Sequence, residues 1–187
     1  MIPKLIFQTP RLKAFQLNEA NKHHVIKLYN AAENIEFLEG IDVIKDIELV
    51  FECYERYGGI GAYLLFKNDS DEFVGFGGVQ RQEPMADGTL AMSDSDIEFL
   101  IIIEKKFSGI GFASEFCEAF FQKFFTQHQN LPIVARISGK NLSCIKLLKK
   151  FGFVEIGETD YHVYGNKFSL LRLSCEDLKI ERQAVLM

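Results

Sequence analysis

The chain has 187 residues, of which 48% are hydrophobic and 25% charged, and its formal net charge is −5 at pH 7. This composition is typical of a soluble globular domain, and the length is sufficient for one domain with a large core. The acidic balance disfavours nucleic acid as the main partner, and no apolar run approaches the roughly 18 residues of a membrane span. We therefore expect a single domain over residues 1–187 with no nucleic-acid or membrane partner.

The cysteines and the N-terminus indicate a reducing compartment. No two cysteines are close enough in the sequence to form a metal knuckle or a redox pair. The N-terminal stretch MIPKLIFQTPRLK lacks the apolar core of a signal peptide. We expect reduced thiols in a cytoplasmic protein, and the four histidines show no spacing that predicts a metal site.

The first half of the chain predicts a strand, two helices and a hairpin. Alternating polarity indicates the first strand, and apolar residues at helical spacing indicate the second helix. A turn cluster at residues 67–71 joins two strand-like runs. In chain order the elements are a strand at Arg11–Leu17, a helix from Glu19 to about Ala32 capped by Asn18, a helix at about Asp42–Tyr57, strands at Ala62–Phe66 and Phe73–Gln80, and a polar loop at Gln82–Ser95.

The stretch from Asp96 to Glu115 combines a buried strand, a glycine turn and a helix. The strand covers Ile97–Ile103 and is interrupted only by Glu98, and the helix is predicted from Gly109 to about Gln127. The amides of a first helical turn and the helix dipole favour an anion, and glycines let it approach the backbone. This stretch therefore predicts a site for a phosphate-bearing ligand. The phenylalanines repeated every four residues in the helix predict core packing.

The last third adds a strand at Pro132–Ile137, a helix at Asn141–Lys150 and two strands at Phe153–Ile156 and Lys167–Leu173. Strands joined by a hairpin are antiparallel, whereas a strand–helix–strand unit favours a parallel pair. The order therefore predicts an α+β fold in which helices pack on a mixed sheet. Residues 176–187 are assigned to no element.

The glycine stretch has four possible interpretations, which are a P-loop, a dinucleotide-binding motif, a coenzyme A site and a turn that binds no ligand. A P-loop requires Gly-Lys-Ser/Thr, and the single Gly-Lys of the chain, Gly139-Lys140, is followed by Asn141. A dinucleotide motif requires a third glycine where Ser114 stands. A tight glycine turn without ligand stays open, and the third ligand is coenzyme A.

Several motifs in the correct order resemble the GNAT superfamily of acetyl-CoA-dependent N-acetyltransferases, and its RimJ/RimL-type branch in particular. The glycine stretch is similar to the family's Gln/Arg-x-x-Gly-x-Gly/Ala motif, with Lys106 at the position where Gln or Arg is usual. The remaining matches are the opening Thr9-Pro10-Arg11-Leu12, the strand-borne Glu98, the continuation Ala113 to Glu115, and the later set Asn141, Cys144, Lys150, Gly152 and Phe153. Together they cover Thr9 to about Leu173.

The resemblance implies a GNAT-like fold, a mixed β-sheet splayed at the cofactor site, with acetyl-CoA bound between the central strand and the next strand. The pyrophosphate would contact backbone amides of the glycine turn, the pantetheine arm would pair with the central strand, and Asn141 would contact the same arm. The implied cofactor-binding residues are Leu100, Ile101, Ile102, Ile103, Lys106, Phe107, Ser108, Gly109, Ile110, Gly111, Phe112, Ala113 and Asn141. No metal is implied.

Glu98 and Cys144 are the candidates for catalysis. Acetylation requires removal of a proton from the amine and neutralisation of the departing thiolate. Glu98 is the candidate base; the alternative is a solvated carboxylate or a partner for a lysine. Many relatives carry a Tyr as acid where this chain has Leu148, so the Cys144 thiol is the candidate acid, with Tyr161, Tyr164 or solvent as alternatives and a small buried filler as its other interpretation.

The function implied by the resemblance is N-acetylation of a primary amine, which in the named branch is the N-terminal α-amine of a protein. Acetylation of a small amine, such as a polyamine or an aminoglycoside, and a catalytically inactive CoA-binding module are the alternatives. The acidic residues Glu33, Glu36, Glu39 and Asp42 flank the first two helices, where they would attract a cationic amine or form a solvated face. We expect a monomer or homodimer.

Overall fold

A computed structural model describes residues 4–31, 33, 36–37, 42–82, 97–161 and 166–180, with the side chains of residues 159–161 and 166 excepted. The predicted loop Gln82–Ser95 lies outside these residues from position 83 onward, as do Glu39 and Tyr164, and so does the tail after Ile180. The strands are β1 Leu5–Gln8, β2 Leu12–Gln16, β3 Ala62–Lys67, β4 Phe73–Arg81, β5 Ile97–Ile103, β6 Ile133–Ser138, β7 Val154–Tyr161 and β8 Asn166–Leu173. The helices are α1 His23–Asn30, α2 Val43–Arg56, α3 Phe112–Gln127 and α4 Leu142–Lys150.

The strands form one mixed sheet in the order β1-β2-β3-β4-β5-β6-β8-β7. The central pair β5–β6 is parallel and its neighbours are antiparallel. A parallel pair follows from the α3 crossover between these strands, whereas short turns join the antiparallel pairs β1–β2 and β3–β4. The predicted α+β fold with a mixed sheet is therefore confirmed, and β1 is a strand that the sequence interpretation missed.

Helices cover both faces of the sheet. Helices α1 and α2 pack on one face through residues such as Val25 and Val50, against Leu64 and Ile102 of the sheet. Helix α3 packs on the other face with seven buried side chains, which are Phe112, Phe116, Cys117, Phe120, Phe121, Phe124 and Phe125. The prediction that its phenylalanine stripe is core is confirmed, so these rings are unavailable for a ligand.

Two predicted helix starts are wrong for local reasons. The first helix begins at His23, because the Asn18 side chain accepts hydrogen bonds from Ala20 and Asn21 in a separate turn that precedes the helix. Helix α3 begins at Phe112 rather than Gly109, because Gly109 and Gly111 have φ of 80° and 91°, outside the right-handed helical region. The last predicted strands are also longer than expected, since β7 continues to Tyr161.

Candidate active site

The sheet opens between its two central strands. β5 pairs with β4 along its whole length, from Ile97 opposite Arg81 to Ile103 opposite Gly75. On its other edge β5 pairs with β6 at a single position, Glu98 opposite Val134. Beyond Glu98 the two strands therefore separate within the described part of the sheet. The expected splay is confirmed, and its apex lies at Glu98.

The glycine turn follows directly after β5. A 3₁₀ turn at Lys105–Phe107 leads into Gly109 and Gly111, and α3 starts without a side-chain cap. A β-carbon placed on Gly109 would meet nothing within 4 Å, so the surface there is open. The first amides of a helix without a side-chain cap, in front of an open glycine surface, suit an anionic group.

Lys106, the residue that departs from the usual motif, contacts carboxylates. Its ammonium lies 2.7 Å from Glu72 and 3.1 Å from Glu104. Hydrogen bonds, first to Glu72 and then to Glu104, raise the pKa of Lys106. An anion at the glycine turn would therefore compete with two carboxylates for this charge, so the backbone is the main anion-binding element.

An ion pair fixes the N-terminal segment against the start of α3. Arg11 donates from Nε to Glu115 at 2.6 Å and from Nη1 to the carbonyl of Ile110 at 3.0 Å, and Thr9 donates its hydroxyl to Glu115 at 2.6 Å. The Ile110 carbonyl is thereby held by Arg11 in the middle of the turn. The opening Thr9-Pro10-Arg11-Leu12 motif thus supports the glycine turn, a role that the sequence left unassigned.

A cavity of about 130 Å³ lies at the splay. Its walls come from the central strands and from α4, and they combine apolar side chains with a set of buried polar ones. Its polar lining residues are Tyr29, Asp46, Gln80, Glu98, Arg136, Ser138, Asn141 and Cys144. Glu98, Asn141 and Cys144, which are far apart in the sequence, therefore share one cavity.

Glu98 forms a two-pronged ion pair with Arg136 of β6. The guanidinium donates from Nε to Oε1 at 2.7 Å and from Nη2 to Oε2 at 2.6 Å. The two side chains are 8% and 10% exposed. Glu98 is therefore neither a solvated carboxylate nor a partner for a lysine. Its carboxylate is fixed at the apex of the splay by a charge-assisted, planar contact.

Helix α4 supplies the other candidates. Asn141 caps α4 by accepting the amide hydrogen of Cys144 at 3.1 Å. Burial raises the pKa of the Cys144 thiol to about 11, so it stays protonated at neutral pH. Leu148 is fully buried and lines the same cavity, so no phenol occupies that position. Because it caps α4, the Asn141 side chain has a structural role in addition to any contact with a ligand.

The comparisons with known proteins decide the family. Residues 8–154 match the acetyltransferase (GNAT) domain, which is well over half of the chain. The chain belongs to the GNAT acetyltransferase family. The GNAT resemblance read from the motifs is confirmed, and so is the prediction of an N-acetyltransferase. No curated protein matches the sequence.

Solved structures share this GNAT fold at low sequence identity. A GNAT-family acetyltransferase from Bordetella pertussis has a TM-score of 0.72 and 19% identity, covering 91% of this chain and 100% of its own. The ribosomal-protein-S5-alanine acetyltransferase from Vibrio fischeri has a TM-score of 0.71 and 11% identity, covering 95% and 100%. Spermidine N-acetyltransferase from Vibrio cholerae, in complex with CoA and spermine, has a TM-score of 0.66 and 16% identity, covering 89% and 96%.

The structure places the expected GNAT site residues in two neighbouring groups. Those that line the cavity are Glu98, Leu100, Ile101, Ile102, Asn141 and Cys144. Those at or next to the glycine turn are Ile103, Lys106, Phe107, Ser108, Gly109, Ile110, Gly111, Phe112 and Ala113. Phe112 is buried in the core, so its contribution to a ligand is limited to its backbone.

Five polar cavity residues were missed by the sequence interpretation, namely Tyr29, Asp46, Gln80, Arg136 and Ser138. The sequence signal that could have identified one of them, Arg136, is a charged residue within an otherwise apolar strand. Arg136 interrupts the apolar strand IVARIS in the same way as Glu98 interrupts IEFLIII. A charge within each of two adjacent buried strands predicts that the two charges pair.

Two further observations concern the described residues as a whole. Among them, no three His, Cys, Asp or Glu side chains are grouped so as to hold a metal ion. None of their helices has the length and apolarity that crossing a membrane requires.

Proposed function

We propose that the chain transfers the acetyl group of acetyl-CoA to a primary amine. The observation that carries the proposal is the single pair between β5 and β6, which leaves an open strand edge ending in an open glycine turn. GNAT enzymes use acetyl-CoA, and the residues here suit it, since an extended arm fits a strand edge and phosphates fit helix amides.

The donor would be held mainly by backbone. Amides of Phe107–Ala113 would bind its pyrophosphate, the edge of Leu100–Ile103 would pair with its pantetheine arm, and Asn141 would contact the same arm. When bound, acetyl-CoA supplies an activated acetyl thioester. An amide of the β5 edge is suited to donate to the thioester oxygen, which is the usual way to stabilise developing negative charge.

Glu98 is the proposed base and Cys144 the proposed donor to the departing sulfur. Arg136 orients the Glu98 carboxylate, whose remaining lone pairs can accept a proton from the amine directly or through water. Cys144 stays a thiol, so it can hydrogen-bond a thiolate, although its pKa of about 11 makes full proton transfer unfavourable. Solvent then supplies the proton that the thiolate finally takes.

The acceptor proposed first is the N-terminal α-amine of a protein, as in the RimJ/RimL-type branch. Its support is the set of sequence motifs together with the similarity to the ribosomal-protein acetyltransferase structure. A small amine is the second candidate, favoured by the similarity to the spermidine acetyltransferase structure. The third is an inactive CoA-binding module, for which the buried Leu148 is the supporting observation. We further propose that the chain acts as a single cytoplasmic domain, as a monomer or homodimer.

The assignment of acetyl-CoA as the acetyl donor is tested by thermal unfolding of the chain with acetyl-CoA, NADH and ATP as separate probes. We expect acetyl-CoA alone to raise the melting temperature, by several degrees at 100 times its Kd. An equal shift with NADH or ATP, or no shift with acetyl-CoA, contradicts the donor assignment. The Glu98→Gln variant tests the base, because an unaltered profile of turnover against pH would remove Glu98 from that role.

A further inference from the structure

Among the buried polar side chains of the cavity that the chemistry above does not use, three form one group. Tyr29 of α1 and Asp46 of α2 are each 7% exposed, and Gln80 of β4 is 6% exposed. All three line the cavity that contains Glu98. Burying such groups costs free energy unless they are satisfied by hydrogen bonds. Their presence therefore calls for either a structural or a ligand-binding explanation.

One hydrogen-bond acceptor of this group has no donor among the described residues. The Tyr29 hydroxyl donates to Asp46 Oδ2 at 2.8 Å, and Gln80 Nε2 donates to Asp46 Oδ1 at 3.5 Å, which is a long contact. Gln80 Oε1 is buried and accepts no hydrogen bond from the described residues. A ligand that satisfied this amide oxygen beside a carboxylate would have to bring hydrogen-bond donors.

The charge of the cavity favours the same kind of ligand. Its described lining residues include the carboxylates of Asp46 and Glu98 and the guanidinium of Arg136. Arg136 is bound to Glu98 through two hydrogen bonds, so the pair has no net charge. Asp46 adds a carboxylate beside the unsatisfied amide oxygen of Gln80, and a carboxylate in a mostly buried cavity attracts a cation.

The position of Gln80 places such a cation next to the reaction centre. Gln80 lies directly opposite Glu98 on the neighbouring strand. Side chains of directly paired residues share a face, with β-carbons about 5 Å apart. Glu98 in turn marks the apex of the splay where the acyl donor is proposed to bind. A group bound by Gln80 and Asp46 would therefore adjoin the proposed base.

We propose that Asp46 and Gln80 bind the protonated primary amine of the acceptor, with Tyr29 orienting the Asp46 carboxylate. An ammonium presents three N–H donors and one positive charge, which match the unsatisfied amide oxygen and the carboxylate. The inference rests on the proposed function and names the acceptor side of the same site. It predicts selection of unhindered primary ammonium groups over neutral or tertiary amines.

The test uses the full chain, saturating acetyl-CoA and two probes, an alanine-initiated peptide amide and spermidine. The variants are Asp46→Asn, which removes the charge but keeps an acceptor for Tyr29, and Gln80→Met, which removes the amide at similar size. The control is Glu48→Gln, which removes one charge from an exposed position on the same helix. Rates of thiol release give KM for the acceptor and for acetyl-CoA.

We expect the acceptor KM to rise on the order of tenfold or more in Asp46→Asn and severalfold in Gln80→Met. The KM for acetyl-CoA should stay within about twofold in both variants, and Glu48→Gln should behave like the unchanged chain. Thermal shifts with the probe amine alone give a readout without turnover, and these should be lost in Asp46→Asn.

The outcomes separate the inference from the function on which it rests. If the unchanged chain acetylates a probe and both variants keep its acceptor KM, the amine site is overturned while the acetyltransferase assignment stands. If the unchanged chain binds no acetyl-CoA or acetylates neither probe, both proposals fail. If Asp46→Asn fails to fold, Gln80→Met alone decides. The probe with the lower KM tells whether the amine comes from a peptide or a polyamine.

Discussion

Arg136 of β6 holds both carboxylate oxygens of Glu98 at 2.6–2.7 Å, two residues beyond Val134, where β6 pairs with β5. The contact ties β5 to β6 at the apex where they diverge. It also presents a carboxylate in a fixed orientation toward the cavity. One ion pair therefore links the architecture of the splay to its proposed chemistry.

Removing Arg136 should destabilise the fold strongly. In Arg136→Met, a carboxylate would stay buried without its guanidinium, which typically costs about 3–5 kcal/mol. Urea unfolding of the unchanged chain and the variant measures the difference. The double variant Glu98→Gln with Arg136→Met should recover much of the loss, because neither position then leaves an unpaired charge buried. Equal losses in the single and double variants would show that the ion pair is not the cause.

Replacing the proposed base should lower turnover without weakening donor binding. We expect kcat of Glu98→Gln to fall on the order of 10²-fold, the usual contribution of a positioned base. The KM for acetyl-CoA should change little, since the donor is proposed to contact β5 mainly through backbone. Steady-state kinetics at saturating amine measure both constants. A fall in kcat of less than about threefold would exclude Glu98 as base.

The Glu115 ion pair should make stability depend on pH in the acid range. Burial alone would raise the pKa of Glu115, but hydrogen bonds from Thr9 and Arg11 outweigh it and hold the pKa below its ordinary value of 4.5. A lowered pKa means that the native state favours the carboxylate. Its stabilisation is therefore complete above pH 4.5 and is lost as the pH falls through the native value.

Glu115→Gln should accordingly be less stable than the unchanged chain at pH 7, by about 1 kcal/mol, because Arg11 is half exposed. The difference should shrink below pH 4.5, where the native carboxylate also becomes protonated. Chemical unfolding between pH 3 and pH 7 measures it. A difference that stays constant across this range would contradict the assignment.

The Cys144 thiol should react slowly with alkylating reagents, and a serine hydroxyl should be able to replace it as hydrogen-bond donor. With a pKa of about 11, its thiolate fraction at pH 8 is about a hundredfold below that of an ordinary cysteine. Alkylation of Cys144 by iodoacetamide, followed by mass spectrometry, should therefore be slow in the native chain and fast in urea. Cys144→Ser should keep most of the turnover, while Cys144→Ala should lose up to about tenfold. Full activity in Cys144→Ala would leave the thiol without a role in the reaction.

Much of the fold was predictable because local chemistry and tertiary structure agree. Asp42 and Asn141 cap the starts of α2 and α4 with their side chains. Gly109 and Gly111 supply the positive φ angles of the glycine turn. β1 was missed because four residues carry too little pattern to be distinguished from an N-terminal extension. The start of α3 was misplaced because glycine is compatible with a helix end and with a left-handed turn alike.

The site was predictable only where residues adjoin a motif. Glu98 was found because it interrupts a strand beside the glycine turn, and Asn141 and Cys144 were found through family motifs. Asp46 and Gln80 come from α2 and β4, and only the folded sheet brings them next to Glu98. Their polarity was visible in the sequence, but their shared cavity depends on strand order and register, which a single sequence does not specify.

The most direct test of the central claim is the mass of the amine after incubation with acetyl-CoA and the purified chain. We expect a primary-amine probe, the alanine-initiated peptide or spermidine, to gain one acetyl group while CoA thiol is released in equal amount. We also expect Glu98→Gln to lose most of this transfer but to keep the thermal shift with acetyl-CoA. Thiol release without acetylated amine, or no transfer to any amine by a chain that binds acetyl-CoA, would contradict the claim.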